Sequence, residues 1–218
     1  MRQVIAIDGP SGSGKTTIAK LVAQELGYRY LDTGALYRAV AFFLRRHSVQ
    51  PEDSDERIRD VLSRAVVQFR NGRVILNEVD VTDNIRSKDI DHYSSVFSAR
   101  SVVRDFLLQS QRNAVLHDDL VIEGRDTTTI VFPDAQKKIF LDASVNERAR
   151  RRYLQYKEKG IEVTLEESLN TILERDKRDA SRDIAPLVRA PDAFLVDSSN
   201  LSIESVKDII LDFIRKDP

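Results

Sequence analysis

The apolar positions change period several times along the chain, and each change marks an element. Val4-Ile5-Ala6-Ile7 is a continuous apolar run of buried-strand type that ends at Asp8. Beyond a glycine- and serine-rich break, Ile18, Ala19, Leu21, Val22 and Leu26 recur at helical spacing, with Gly27 as a C-terminal stop. Tyr28-Arg29-Tyr30-Leu31 predicts a second strand closing on Asp32-Thr33-Gly34. A second helix follows, carrying Ala35, Leu36, Ala39, Val40, Phe43 and Leu44, with Tyr37 and Arg38 facing elsewhere. Pro51 and the acidic cluster Glu52-Asp53-Asp55-Glu56 mark a break before a short helix around Arg57–Ser63.

The pattern then changes character. Two β-rich runs, Ala65–Arg70 and Arg73–Leu76, are joined by Asn71-Gly72, a pair that tolerates positive φ and signals a hairpin; Val79–Val81 predicts a third strand. Helical spacing resumes at Ile90 and runs through Val103, Phe106, Leu107, Ala114 and Leu116, with a break near Ser98. This is too much chain for a simple crossover between parallel strands, so an inserted domain is expected. Leu120-Val121-Ile122 returns to a central sheet and ends in Glu123-Gly124-Arg125-Asp126; Lys138-Ile139-Phe140-Leu141 is the next strand. Ser144 with Glu147 reads as a capping box opening a helix through Tyr153, and a charged stretch to Arg182 follows. Phe194-Leu195-Val196 and an amphipathic helix over Ile203–Ile214 close the chain. Strands alternating with helices predict an α/β fold, a five-stranded parallel sheet sandwiched by helices, with ligands at the carboxyl ends of the strands.

Composition narrows the class. The 218 residues, 41% of them hydrophobic, suffice for a sizeable core, either as one domain or as a core with an insertion. Lys+Arg is 34 and Asp+Glu 35, so no global charge attracts a nucleic acid polymer. The absence of cysteine excludes disulfides and thiolate metal sites and suits the cytosol. His47, His92 and His117 are scattered and read as ordinary surface or satisfied histidines. The first strand is expected within a few residues of Met1, so no signal peptide is expected, and no apolar run reaches the ~20 residues of a membrane span.

Candidate chemistry concentrates in Gly9-Pro10-Ser11-Gly12-Ser13-Gly14-Lys15-Thr16, followed by Thr17. The run fits G-x-x-x-x-G-K-[ST] between a strand and a helix, the order a phosphate-binding loop requires. Its N–H groups and the helix N-terminus face anionic oxygen, Lys15 reaches the β/γ-phosphates, and the Thr16 hydroxyl suits Mg²⁺. Arginines add to this picture. Arg38 and Arg125 follow strand ends, Arg148, Arg150, Arg151 and Arg152 crowd one helix, and Arg175, Arg178 and Arg182 interleave with Asp176, Asp179 and Asp183. Guanidinium grips phosphate bidentately and stays charged, as phosphoryl transfer demands. Arg150 and Arg151 fit a solvated helix face, whereas Arg148 and Arg152, at i and i+4, share a face that can meet a ligand.

Taken together, these motifs resemble those of the bacterial cytidylate kinase family: Ile7-Asp8-Gly9-Pro10-Ser11-Gly12-Ser13-Gly14-Lys15, Leu31-Asp32-Thr33-Gly34-Ala35-Leu36-Tyr37-Arg38, Glu123-Gly124-Arg125-Asp126 with Val131-Phe132-Pro133-Asp134-Ala135, and Arg175-Asp176 through Arg182 with Ala185-Pro186-Leu187. The resemblance implies a P-loop kinase core over 1–34 and 118–218, an inserted monophosphate-binding domain over 35–117, and a lid over 148–184. It implies a monomeric cytoplasmic enzyme of pyrimidine metabolism that moves the γ-phosphoryl of ATP, with Mg²⁺, to CMP or dCMP. The ATP side comprises Gly9 to Thr17 with Arg148 and Arg152, Thr16 being the metal ligand. The CMP side comprises Asp32, Thr33, Arg38, Ser95 (Ser94 if the register slips), Arg104, Arg125, Asp126, Arg175, Asp179 and Arg182. Lys15, Arg38, Arg125 and Arg182 would neutralise charge on the moving group. Asp126 would accept from the cytosine amino group, where uracil offers a carbonyl. A kinase for another small acceptor, such as UMP, AMP or a non-nucleotide, remains open, as does a nucleotide-dependent switch, although no Asn-Lys-x-Asp guanine-reading segment is present. One departure stands out: Thr127-Thr128 replaces the family's usual aliphatic-glycine pair. If that glycine takes positive φ, Thr128 is expected to be strained.

Overall fold

The computed structural model of the protein describes residues 2–116 and 118–216. Two compact units divide it, one from Met1–Tyr30 with Asp119–Pro218 and the other Leu31–Asp118. His117, expected to be an ordinary histidine, lies outside the described residues. In chain order, β1 (Val4–Asp8), α1 (Lys15–Leu26) and β2 (Arg29–Asp32) come first. Next are α2 (Thr33–Arg46), α3 (Asp55–Leu62), β3 (Val67–Arg70), β4 (Arg73–Leu76), β5 (Val79–Asp80), α4 (Lys88–Phe97) and α5 (Ser101–Arg112). The chain closes with β6 (Leu120–Gly124), β7 (Lys137–Asp142), α6 (Val145–Glu158), α7 (Leu165–Ala180), β8 (Phe194–Asp197) and α8 (Ile203–Arg215).

The larger sheet has five strands in the order β2-β6-β1-β7-β8. β1 pairs in parallel with β6 on one side and β7 on the other, and β7 pairs in parallel with β8. Both β1 and β6 are buried along their whole length, which is why they read as unbroken apolar runs. Ile5, Ile7, Val121, Ile139 and Leu141 of the sheet pack with Ile18 and Val22 of α1 and Val206 and Ile210 of α8 in one core. Each such side chain taken out of water contributes about 1.5–3 kcal/mol. This core fixes the carboxyl end of β1, where Asp8 stands directly beside Gly124 of β6. The start of the phosphate loop and Arg125-Asp126 are therefore neighbours by register.

The second unit carries a three-stranded antiparallel sheet, β3-β4-β5. Asn71 (φ 51°) and Gly72 (φ 77°) both take the left-handed region, the turn the hairpin signal predicted. Ala35, Leu36, Ala39, Val40, Phe43 and Leu44 line the buried face of α2 as expected. The helical run from Ile90 does break at Ser98, but it ends at Arg112, and a single 3-10 turn over Asn113–Val115 replaces the expected continuation. His47 is satisfied, its Nδ1 lying 2.8 Å from the Phe43 carbonyl.

Several local expectations are corrected. Ser144 caps α6 by accepting from the Glu147 N–H, but the Glu147 carboxylate turns to Arg150 and Arg151 instead of closing the box. The helix runs to Glu158 rather than Tyr153. The charged stretch beyond it is largely α7, opened by a complete capping box of Thr164 and Glu167. Among the described residues no helix is long and apolar enough to cross a membrane.

Candidate active site

The phosphate loop joins β1 to α1. At Gly9, φ is 150° and a Cβ would collide with the Leu141 carbonyl of β7, so only glycine lets the loop leave the sheet this close to its neighbour. Lys15 is buried, its Nζ donating to the Pro10 carbonyl at 2.6 Å and to Ser13 Oγ at 3.3 Å. Burial holds its ammonium well below the usual lysine range, and the Arg125 and Arg175 charges push it further down. A cation so disfavoured in the free protein is set to gain from an arriving polyanion.

Around the same loop lies a cluster of arginines centred on Asp179, which is fully buried. Its carboxylate accepts from Arg125 Nε at 3.1 Å, pairs with Arg182, and lies 3.8 Å from Arg175 Nε. Burial alone would raise this carboxyl, but the three guanidiniums outweigh it and hold it below the ordinary aspartate range. Lys15 feels two of those arginines, Arg125 and Arg175. The arrangement suits a bound phosphate. The resemblance puts Asp179 on the CMP side; the structure shows it as the hub that aims these arginines.

Glu123, at the end of β6, accepts from the Thr16 hydroxyl at 3.1 Å and from the Tyr30 hydroxyl. Two hard oxygen donors therefore meet at the helix N-terminus, which is the donor chemistry Mg²⁺ takes. Among the described residues no group of three acidic or histidine side chains forms a metal cluster.

Thr127 and Thr128 are not strained. Neither has positive φ; instead residues Thr127–Val131 form a π-helical turn. Both threonines turn onto Asp8. Its Oδ1 accepts from the Thr127 N–H (3.0 Å) and hydroxyl (2.7 Å), and its Oδ2 from the Thr128 N–H (2.7 Å) and hydroxyl (2.7 Å). All three residues are buried. The turn after Arg125-Asp126 is thus tied to the residue that precedes the phosphate loop. No motif or periodicity announces this network, because it depends on which strand ends the fold makes adjacent.

The helix α6 also departs from expectation. Arg148 is buried and donates to the carbonyls of Ala143 (2.9 Å) and Ser11 (3.2 Å) and to Asp176 (2.6 Å). Arg151, read as solvated, reaches the Ser13 carbonyl at 3.2 Å and Ser198 of the β8 end. Arg150 is exposed and pairs only locally with Glu147, as expected. The Arg152 guanidinium sits 4.6 Å from the centre of the Tyr156 ring. Ser198 was missed, although it directly follows β8 at the carboxyl edge of the sheet, where ligands bind.

In the second unit, Asp32 caps α2 through Ala35 N–H (2.8 Å) and holds Arg38 at 2.9 Å, which fixes the direction of that guanidinium. Thr33 opens the helix and is buried. Arg104 is buried too, donating to the Ser98 carbonyl at 3.1 Å with its guanidinium 5.6 Å from the Tyr37 ring centre. Ser95 Oγ is buried without a hydrogen-bond partner among the described residues.

The model of the family described as cytidylate kinase matches residues 5–216. This chain belongs to the cytidylate kinase family. A cytidylate kinase of Fervidobacterium nodosum is 49% identical over 212 residues, covering 97% of this chain and 96% of that protein. One from Thermodesulfovibrio yellowstonii is 46% identical over the full length of both. A crystal structure of an uncharacterized protein from Eubacterium ventriosum superposes with a TM-score of 0.56 at 15% identity, covering 99% of this chain and 100% of that one, and shows the shared α/β fold. The cytidylate kinase motifs quoted from the sequence lie within the matched span.

Proposed function

We propose that the protein catalyses phosphorylation of CMP and dCMP by ATP, giving CDP or dCDP and ADP. The observation that carries this reading is the convergence of Arg125, Arg175 and Arg182 on one buried carboxylate, Asp179, with Arg125 and Arg175 acting on Lys15 of the loop, in a chain of the cytidylate kinase family. ATP is assigned to Gly9–Thr17, with Lys15 at its β/γ-phosphates and Arg152 in the lid. The acceptor phosphate is assigned to Arg125 and Arg182 with Arg38 and Thr33, Asp32 acting through Arg38, and the sugar to Arg175 and Asp179. The base is assigned to Asp126, Ser95 and Arg104. Support for Ser95 is its buried hydroxyl without a partner among the described residues.

An oxygen of the acceptor phosphate attacks the γ-phosphorus in line, and the bond to the β-bridging oxygen breaks, its electron pair leaving with ADP. No general base is needed, since that oxygen is already anionic at neutral pH. Lys15, Arg38, Arg125 and Arg182 offset the charge spread over the moving group. Thr16 would hold Mg²⁺, with Glu123 beside it; when bound, the ion supplies further neutralisation of phosphate charge. Residues 148–184 act as a lid that excludes water, and 35–117 as the monophosphate-binding domain. The family resemblance further assigns a cytoplasmic monomer.

The test is a coupled ADP-release assay with ATP–Mg²⁺ over CMP, dCMP, UMP, AMP and GMP. CMP and dCMP are expected to dominate, and Asp126→Asn to narrow the gap between CMP and UMP. Preference for UMP or AMP in the unmodified protein overturns the assignment.

A further inference from the structure

The peptide planes of the phosphate loop are held from behind. The Ser11 carbonyl accepts from Arg148 Nη1 at 3.2 Å. The Ser13 carbonyl accepts from Arg151 Nη1 at 3.2 Å and from Ser198 Oγ at 3.1 Å. A trans peptide is planar, so a carbonyl and the N–H of the next residue point in opposite directions. Fixing Ser11 and Ser13 carbonyls toward α6 therefore turns the N–H groups of Gly12 and Gly14 the other way. Each of these planes precedes a glycine with positive φ, Gly12 at 80° and Gly14 at 95°, where side-chain sterics oppose a plane flip least. A flipped plane would present a carbonyl dipole to phosphate in place of a donor.

The anchors are themselves anchored. Arg151 donates through Nε to Glu147 (2.9 Å), through Nη1 to Ser198 Oγ (3.0 Å) and through Nη2 to the Ser198 carbonyl (2.7 Å). Ser198 is only 2% exposed, and its hydroxyl lies between two carbonyl acceptors, Ser13 at 3.1 Å and Asp142 at 2.9 Å, so it ties the loop to the end of β7. α6 presses on the loop as well, since a Cβ on Gly12 would stand 3.0 Å from the Arg148 carbonyl oxygen.

We infer that Arg151 and Ser198 are positioning residues for the donor nucleotide: with Arg148 they hold the Ser11–Gly12 and Ser13–Gly14 planes carbonyl-outward, so the loop is preset as an anion nest before ATP arrives. This rests on the reading of the loop as the ATP polyphosphate site. The experiment compares Arg151→Met, Arg151→Lys and Ser198→Ala with the unmodified enzyme, in steady-state kinetics and in the amide spectrum of the nucleotide-free protein. Losing one charge-assisted anchor is expected to raise KM for ATP about tenfold in Arg151→Met and several-fold in Ser198→Ala. KM for CMP should hold within about twofold, and Arg151→Lys should recover part of the loss. The Gly14 amide resonance should move in both Arg151→Met and Ser198→Ala without nucleotide. An unchanged KM for ATP in Arg151→Met overturns the inference. So does a raised KM with an unmoved Gly14 amide and a silent Ser198→Ala, which would make Arg151 a direct nucleotide contact. If Arg151→Met does not fold, Ser198→Ala and Arg151→Lys decide by the same readouts. Failure of the underlying ATP reading is distinguishable, because the unmodified protein would then bind no ATP while the amide shifts still report the planes.

Discussion

Replacing Thr127 and Thr128 by valine keeps their shape and removes only the two hydroxyls that donate to Asp8. Those bonds are 2.7 Å each, in a site where Asp8 and Thr127 are fully buried and Thr128 is 1% exposed. A hydrogen bond to a charged group contributes about 1.5–3 kcal/mol, and no water reaches a carboxylate this deep to replace it. Thr128→Val should therefore cost ~1.5–3 kcal/mol. The double variant should cost ~2–5 kcal/mol, less than the simple sum because both hydroxyls serve one anion. For a chain of this size that is a fall in melting temperature of roughly 4–20 °C, measured by differential scanning calorimetry. The turn that loosens carries Arg125-Asp126, so KM for CMP should rise more than KM for ATP, the reverse of the pattern expected for Arg151. A double variant that melts within about 1 °C of the unmodified protein refutes the clamp, because no other partner of the hydroxyls explains their position.

Further outcomes follow from the charges. Ionised Asp179 contributes stability that is fully present above its unfolded value near ~3.9 and is lost as pH falls through its depressed folded value. Asp179→Asn should lower stability at pH 7 by about 3–5 kcal/mol and flatten the acid limb of the stability profile below pH ~4, read from urea melts across pH. An unaltered acid limb would count against the hub. Lys15 is depressed in the free protein by burial and then by Arg125 and Arg175, and phosphate charge favours its protonated form. ATP binding should therefore take up protons where the pH exceeds the free protein's Lys15 value, and affinity should weaken as pH rises through that range. Calorimetry in buffers of different ionisation enthalpy measures the uptake, which Lys15→Met should abolish; no uptake at any pH below the ordinary lysine value of ~10.4 contradicts the claim.

What was legible in the sequence follows physical lines. β1 and β6 could be read because burial on both faces leaves an apolar run, and α2 because one apolar face repeats at helical period. α7 could not be read as a helix, since its buried positions are Ser168, Ile172 and Asp179, a face more polar than apolar. The π-helical turn over Thr127–Val131 has no side-chain period of its own; it is specified by Asp8, which is distant in sequence. The same holds for Arg148 and Arg151. Arg148 reads toward a ligand and Arg151 toward solvent, but the hydrogen bonds of both run to the backbone carbonyls of the loop, and only the packing of α6 against it reveals that. Arg125, by contrast, was marked by its place at a strand end, and the structure keeps it there with Asp179.

The most direct measurement is CDP formation from ATP and CMP by the unmodified protein and by Arg125→Ala, with folding checked by calorimetry. Loss of a preorganised charge at the moving phosphoryl group should cut kcat by about 10²–10³-fold. A folded Arg125→Ala variant that turns over CMP at the unmodified rate contradicts the account.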